Sequence, residues 1–149
     1  MGFRIFSLKK QLRVWMKKVN MNDRWDKAAE ILNLKGKTFF GGVENCDFTV
    51  AQLFELLELD MTLLDFKFNQ SPTVETFLEV GKLAEAVGAT VSFSGFLESK
   101  GRPDARVVVS SITITRFPDS AGLIMKFSQV FHLADEFTAN REMLRAWFD

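Results

Sequence analysis

The sequence predicts an α+β fold in which helices pack on one face of a mainly antiparallel sheet. Apolar residues recur every three or four positions along most of the first 88 residues, which is typical of helices, and they alternate with polar residues beyond Gly88, which is typical of strands. Strands that gather at one end of a chain favour the α+β class. The length of 149 residues fits one domain, so residues 1–149 are expected to form a single unit that ends in a three-stranded meander and a terminal helix.

The first predicted element is a basic amphipathic helix over about residues 3–19. Its apolar residues are spaced by three and four positions, and its bases fall largely between them. The apolar residues are Ile5, Leu8, Leu12, Trp15, Met16 and Val19, and the bases are Arg4, Lys9, Lys10, Arg13, Lys17 and Lys18. Because the first acid is Asp23 and residues 23–149 hold 13 bases against 19 acids, a basic arm, residues 1–20, is joined to an acidic body.

A short second helix is predicted next, with Asn22 or Asp23 as its cap and an end before Gly36. Its apolar residues are Trp25, Ala28, Ala29 and Leu32. Residues 37–40 are predicted to form either a short strand or a loop.

The clearest local signal is a capping box with Thr49 at the N-cap and Gln52 three residues later. Phe48 and Leu53 have the spacing of a hydrophobic staple around the same helix start. A helix is therefore predicted from Thr49 to about Glu58.

Residues 61–68 alternate between apolar and polar side chains, which predicts a half-buried strand. Ser71 and Pro72 then provide a cap and a first-turn proline for another helix, which Gly88 closes. The residues of this helix that are expected to face the core are Val74, Phe77, Leu78, Gly81 and Ala84.

Three strands are predicted after Gly88, over residues 90–97, 106–116 and 123–133, with turns between them. Matching the apolar faces of the last two strands selects one register, because a slip of one residue exchanges the two faces of a strand. The core residues that this register predicts are Val108, Ile112, Ile114, Met125, Phe127 and Phe131. A terminal helix from about Glu136 to Trp147 completes the predicted fold.

The residue content leaves little room for catalysis or metal binding. The chain has no Tyr, one Cys and one His, whereas an ordinary zinc site needs three or four ligands. Cys46, His132 and Asp135 could form a nucleophilic constellation, but no spacing in the sequence brings them together. The common phosphate-binding, hydrolase and metalloprotease motifs are absent. We therefore predict no catalytic residue, no metal and no cofactor.

One group of residues is a candidate ligand-binding site. The predicted register places Ser110 opposite Gln129 in an otherwise apolar face, where buried polar groups must be paired. The two side chains either satisfy each other or line a pocket between the sheet and the helices. Arg106 and Arg116 bracket the same face and suit an anionic ligand, and His132 ends the last predicted strand.

The basic arm is the candidate partner-binding segment, with Arg4, Lys9, Lys10, Arg13, Trp15, Lys17 and Lys18 as its contact residues. Residues 38–66 contain six acids and no base, which matches the six positive charges of the arm. Exposed ion pairs contribute only about 0–1 kcal/mol each, so the apolar stripe must supply most of the docking energy. We expect the arm to dock on this acidic block in its own chain or in a second copy, in preference to an anionic partner protein, a nucleic acid or an anionic membrane surface.

The predicted function is that of a non-enzymatic interaction protein that forms a homodimer. The alternative is a small-molecule-binding or enzymatic α+β domain with its pocket between the helices and the meander. A single cysteine cannot form an internal disulfide, and no apolar stretch is long enough to span a bilayer, so a cytoplasmic location is expected.

Overall fold

The computed structural model describes residues 21–34, 44–118 and 120–149. These residues form four helices and five strands. The helices are α1 (Met21–Ile31), α2 (Val50–Glu58), α3 (Val74–Ala86) and α4 (Ala121–Phe131), and the strands are β1 (Glu44–Phe48), β2 (Thr90–Leu97), β3 (Val107–Thr115), β4 (Glu136–Ala139) and β5 (Met143–Trp147). The helix predicted over residues 3–19 and the segment 37–40 lie outside the described residues.

The five strands form one antiparallel sheet in the order β1-β2-β3-β5-β4. Neighbouring helices contact one another in chain order, α1 with α2, α2 with α3 and α3 with α4, and they pack against the sheet. The predicted α+β class, with helices packed on an antiparallel sheet, is therefore confirmed.

The core lies between this helical layer and one face of the sheet. Phe93 of β2 is paired with Ile112 of β3, which is paired in turn with Ala146 of β5, and all three side chains are buried. Phe77 of α3 is at the centre, where its ring meets the ring of Phe93 at 6.4 Å and the ring of Phe131 of α4 at 5.3 Å. Apolar burial of this kind is the main favourable term in folding.

The two C-terminal elements are exchanged relative to the sequence prediction. Residues 121–131 form α4 where a strand was predicted, and residues 136–147 contain the β4–β5 hairpin where a terminal helix was predicted. The predicted meander register is therefore wrong, because β3 pairs with β2 and β5. Of the six predicted core residues, four belong to the core cluster, and Val108 is buried but lies outside that cluster. Met125 is misplaced: it lies on the outer side of α4 and is 61% exposed.

The strand predicted over residues 61–68 is also wrong. This segment is a loop that follows α2 and runs across the start of β3, where the backbone N–H of Val107 donates to the carbonyl of Met61 at 2.7 Å. The N-cap of α3 is Thr73, since its side chain accepts from the N–H of Thr76, whereas the hydroxyl of Ser71 accepts from Phe68. The predicted capping box of α2, between Thr49 and Gln52, is confirmed.

Three helices end in the same way, with one residue in the left-handed region. These residues are Asn33 after α1, Asp60 after α2 and Gly88 after α3, with φ values of 57°, 60° and 84°. After each, the next backbone N–H donates to the carbonyl five residues earlier, as Leu34 does to Ala29 at 2.7 Å. This is the Schellman arrangement, which satisfies carbonyls that a helix end leaves free.

A β-bulge separates two registers of the β2–β3 pair. Ser94 is paired with Ser111, but Gly95 is paired with Val109, so Ser110 has no opposite residue. A side chain at Gly95 would overlap the carbonyl oxygen of Val108. The bulge therefore requires glycine at this position, and Ser110 marks the point where β3 bends.

Candidate functional site

The five residues of the predicted ligand site are spread over two elements. Ser110 is in the bulge of β3, and its hydroxyl donates to the carbonyl of Ser94 at 3.4 Å. Gln129 is exposed on α4, and His132 is exposed at the C-cap of that helix, with its Nδ1 3.1 Å from the carbonyl oxygen of Gln129. Ser110 therefore does not face Gln129, because the segment that carries Gln129 is a helix.

The two arginines of the predicted site lie beyond opposite ends of β3. Arg106 is half-buried, and its Nη1 donates to the carbonyl of Ala105 at 2.9 Å. Arg116 is exposed and has a φ of 55° at the turn that leaves the strand. The nine residues of β3 separate them by about 30 Å at the usual rise of a strand, so they cannot hold one small anion together.

The outer side of the helices α2 and α3 combines apolar and acidic side chains. The two helices run in opposite directions: Val50, at the start of α2, lies beside Gly81 in the second half of α3, and the carbonyl of Leu64, beyond the end of α2, accepts from the N–H of Glu75 at the start of α3. A side chain at Gly81 would crowd Phe93 at 2.8 Å and Val50 at 3.2 Å, so glycine allows this close packing. We call the exposed side of this pair, with the loop residues 63–65, the α2–α3 surface.

The apolar part of the α2–α3 surface consists of five large side chains that remain exposed. Two are on the helices, one is the C-cap residue of α3, and two are on the loop between the helices. Their exposed fractions are 40% for Phe54, 40% for Leu63, 43% for Leu64, 43% for Leu83 and 37% for Val87. Exposed apolar groups that lie together, surrounded by polar residues, are a mark of interaction sites.

The acidic part of the α2–α3 surface consists of six exposed carboxylates. They are Glu55, Glu58, Asp65, Glu75, Glu79 and Glu85. The five ion pairs among the described residues involve other carboxylates, so none of these six is neutralised by a described base. Residues 44–98 as a whole contain ten acids and only two bases, Lys67 and Lys82, and the surface therefore carries a negative field.

Lys82 is the base at the centre of this surface. Its Nζ lies over the ring of Phe54 at 5.5 Å from the ring centroid. That distance is within the range in which an ammonium group is attracted by the face of an aromatic ring. Phe54 therefore already acts as a cation site in the single chain.

The sequence indicated part of this surface and missed the rest. The acidic block of residues 38–66 supplies Glu55, Glu58 and Asp65, while Asp60 of the same block is paired with Arg24 at 3.2 Å. The contribution of α3 was missed, although Glu75, Glu79 and Leu83 recur every four residues and so share one stripe of the helix. This spacing is visible in the sequence, but only the packing of α3 beside α2 brings the exposed residues of the two helices onto one surface.

The charged cluster of the turn that connects β2 and β3 is a separate feature. Arg102 donates to both carboxylate oxygens of Asp104, at 3.1 and 3.0 Å. This hydrogen bonding, together with the attraction of opposite charges, raises the pKa of Arg102 and lowers the pKa of Asp104. Both side chains are exposed, so the cluster is a solvated pair on the rim of the molecule.

Within the described ranges, no group of three or more His, Cys, Asp and Glu side chains is arranged to hold a metal ion. None of the four described helices is long and apolar enough to cross a membrane. Comparisons of the chain with known protein families, curated proteins and solved structures gave no match. The inference of function therefore depends on the surface chemistry described above.

Proposed function

We propose that this protein is a non-enzymatic interaction protein that forms a homodimer, in which the basic arm of each copy docks on the α2–α3 surface of the other. The observation that carries the proposal is that the charge and apolar pattern of the arm match those of the α2–α3 surface. The arm combines six bases with an apolar stripe, and the α2–α3 surface combines six carboxylates with five exposed apolar side chains.

The dimensions of the two partners agree. The predicted helix over residues 3–19 is about 25 Å long at 1.5 Å per residue, and α3, with 13 residues, is about 20 Å long. The apolar contacts supply most of the docking energy, because exposed ion pairs contribute little, and the charges set the orientation. The result is helix-in-groove recognition, in which an amphipathic helix lays its apolar face along a surface of matching pattern.

The position of α1 is consistent with this use of the arm. Arg24, in the first turn of α1, contacts Asp60 in the loop that follows α2. The chain therefore enters the described domain beside the end of the α2–α3 surface that contains Leu63 and Leu64.

A cytoplasmic location is the second part of the proposal. We infer the cytoplasm from the single cysteine, since an oxidising compartment favours paired cysteines. The alternative function, a small-molecule-binding or enzymatic domain with its pocket between the helices and the meander, stays a prediction. The facing of Ser110 and Gln129 no longer supports it, because Gln129 lies on the helix α4.

Light scattering coupled to size-exclusion chromatography, at low and high salt, tests the proposal. We expect a dimer for the full chain, a weaker dimer at high salt because exposed charges are screened, and a monomer after deletion of residues 2–20. The double substitution Glu55→Lys with Glu79→Lys should also give a monomer. A matched control reverses two exposed carboxylates away from the surface, Glu142→Lys with Asp149→Lys, and should leave the dimer intact.

Charge exchange sharpens the test. Arg13→Glu with Lys17→Glu should break the dimer, and mixing that variant with the Glu55→Lys, Glu79→Lys variant should restore association, because each chain then offers the charge that the other lacks. A full chain that is monomeric at every salt concentration, and that is unchanged by removal of the arm, would contradict the proposal.

A further inference from the structure

We infer that Lys82 is an internal competitor of the docking arm: its ammonium group occupies the cation site on the Phe54 ring that a Lys or Arg of the arm takes in the dimer. This inference rests on the proposed function, and it identifies the residue that sets the affinity of the docking. It makes Lys82 a specificity-determining residue of the α2–α3 surface.

The position of Lys82 is the first observation in support. Glu79 and Glu85 are three residues away on the same helix, a spacing at which side chains of opposite charge can meet. Among the described residues, however, Lys82 forms no ion pair with either, and its Nζ instead lies 5.5 Å from the centroid of the Phe54 ring. The ring is therefore the favoured place for a cation on this surface.

The surroundings of the ring are the second observation. Glu58 is one helical turn beyond Phe54, and Glu55 is its neighbour in the chain, and both carboxylates are exposed and unpaired among the described ion pairs. A cation above this ring thus meets both the negative face of the aromatic system and a negative local field. One lysine does not neutralise the site, which still attracts a second cation.

Docking of the arm then proceeds by exchange. Phe54 is 40% exposed and its ring already carries the Lys82 ammonium, so an arriving Lys or Arg takes the place of that ammonium. The four-carbon stem of Lys82 is flexible, so the displaced group can turn towards Glu79 or Glu85. The net gain in binding free energy at the ring is the difference between the contact of the arriving cation and the contact of Lys82. This small difference keeps the dimer reversible.

Removal of the competitor should strengthen the dimer. A cation–π contact at an exposed site corresponds to a factor of about two to five in affinity. A symmetric dimer has two equivalent docking contacts, so the factor applies twice. Lys82→Gln should therefore lower the dimer Kd by about four- to twenty-five-fold. Sedimentation velocity over a dilution series of the full chain measures this Kd.

Two controls distinguish an effect of the Phe54 ring on the dimer Kd from the effect of removing one positive charge. Lys126→Gln removes one exposed positive charge from α4 and should change the dimer Kd much less. Phe54→Leu keeps an apolar side chain but has no aromatic face, so adding Lys82→Gln to this variant should produce only the smaller effect of the lost charge. Circular dichroism melts establish that each variant is folded.

The outcomes distinguish this inference from the proposed function. A wild-type chain that is monomeric at all concentrations overturns both. Two results would overturn the role of Lys82 and leave the dimer proposal intact. In the first, Lys82→Gln changes the Kd of the wild-type dimer no more than Lys126→Gln does. In the second, Lys82→Gln has the same effect whether Phe or Leu stands at position 54. A gain from Lys82→Gln that depends on Phe54 supports it.

Discussion

At the scale of single residues, the bulge between β2 and β3 and the ends of the helices depend on unusual backbone positions. Gly95 lies where a side chain would overlap the carbonyl oxygen of Val108, and Asn33 and Asp60 hold left-handed conformations without being glycine. The alternation of residues 90–97 predicts the strand β2, but the bulge is invisible in it. The reason is that the bulge depends on the extra residue Ser110, which only the pairing of β2 with β3 reveals.

Gly95→Ala should destabilise the domain by about 1–3 kcal/mol or more, because the backbone of β3 must move to admit the new methyl group. Urea unfolding monitored by circular dichroism measures this difference. Gly122→Ala is the matched control: a side chain there meets nothing within 4 Å, and alanine should stabilise α4 by about 0.5–1 kcal/mol. Equal effects at the two positions would contradict the bulge.

Asn33 terminates α1 at a φ of 57°, so its substitution tests the Schellman end of that helix. Asn33→Ala should lower stability by about 1 kcal/mol, because the left-handed region is unfavourable for a residue with a β-carbon and no local polar compensation. Asn33→Gly should be neutral or stabilising, since glycine adopts this region freely. Thermal melts of the two variants give the comparison, and a loss as large for glycine as for alanine would speak against this helix end.

At the scale of elements, local signals predicted the helices α2 and α3 well and the two C-terminal elements badly. The capping box at Thr49 is a local chemical signal, and the structure confirms it. Residues 121–131 satisfy two patterns at once: Leu123, Met125 and Phe127 alternate as in a strand, and Leu123, Phe127 and Phe131 recur every four residues as in a helix. Short apolar runs are ambiguous for this reason, and tertiary packing decides between the patterns.

The signals that favour the observed C-terminal elements are the caps and turns. The side chain of Ser120 accepts from the N–H of Leu123 at 3.2 Å and so starts α4. Asn140 accepts from the N–H groups of Glu142 and Met143, both at 2.9 Å, and so closes the β4–β5 hairpin. The prediction placed Ser120 in a turn between two strands and made no use of Asn140, which explains the exchange of strand and helix.

Met125 distinguishes the helix from the predicted strand experimentally. Met125→Lys should change the free energy of unfolding by less than about 0.5 kcal/mol, because the side chain is on the outer face of α4. Phe127→Ala, two residues further on, should destabilise by about 3–5 kcal/mol, because the ring is fully buried. Chemical denaturation compares the two, and comparable losses would restore the strand model.

The α2–α3 surface was only partly predictable from the sequence. The acids of α2 were evident as a base-free block, but the sequence prediction did not say which apolar residues of that helix stay exposed: Leu53 is buried, whereas Phe54 is exposed. The predicted facing of Ser110 and Gln129 is wrong for a related reason. Ser110 and Gln129 were joined by a strand register that does not exist.

At the scale of the whole molecule, α1 is fastened to the rest of the domain by a few polar contacts around a buried apolar stripe. Trp25 donates from Nε1 to the carbonyl of Glu98 at 2.8 Å, and Lys100 contacts Asp26 at 2.6 Å. Arg24 pairs with Asp60, and their side chains are only 8% and 20% exposed. The arm is thus connected to a helix that is fixed at both the α2 end and the β2–β3 turn.

The Arg24–Asp60 pair yields a prediction for the assembly of the helical layer. Arg24→Met should be destabilising, because it leaves the mostly buried Asp60 carboxylate without its partner. Adding Asp60→Gly should recover much of the loss, since it removes the unpaired charge and places glycine at a φ of 60°. Denaturant titrations of the single and double variants measure the recovery, and a double variant less stable than Arg24→Met alone would refute the argument.

The order of the strands has a further consequence for the speed of folding. The pairing of β1 with β2 joins Cys46 to Gly95, and the pairing of β3 with β5 joins Ser111 to Trp147, so both ladders close across long stretches of chain. Loop closure must precede the gain from such contacts, so folding is expected to be slower than that of a helical bundle of similar size. Until β5 of the β4–β5 hairpin pairs with β3, the edge of β3 remains open to pairing with other chains, and refolding at high protein concentration therefore competes with aggregation.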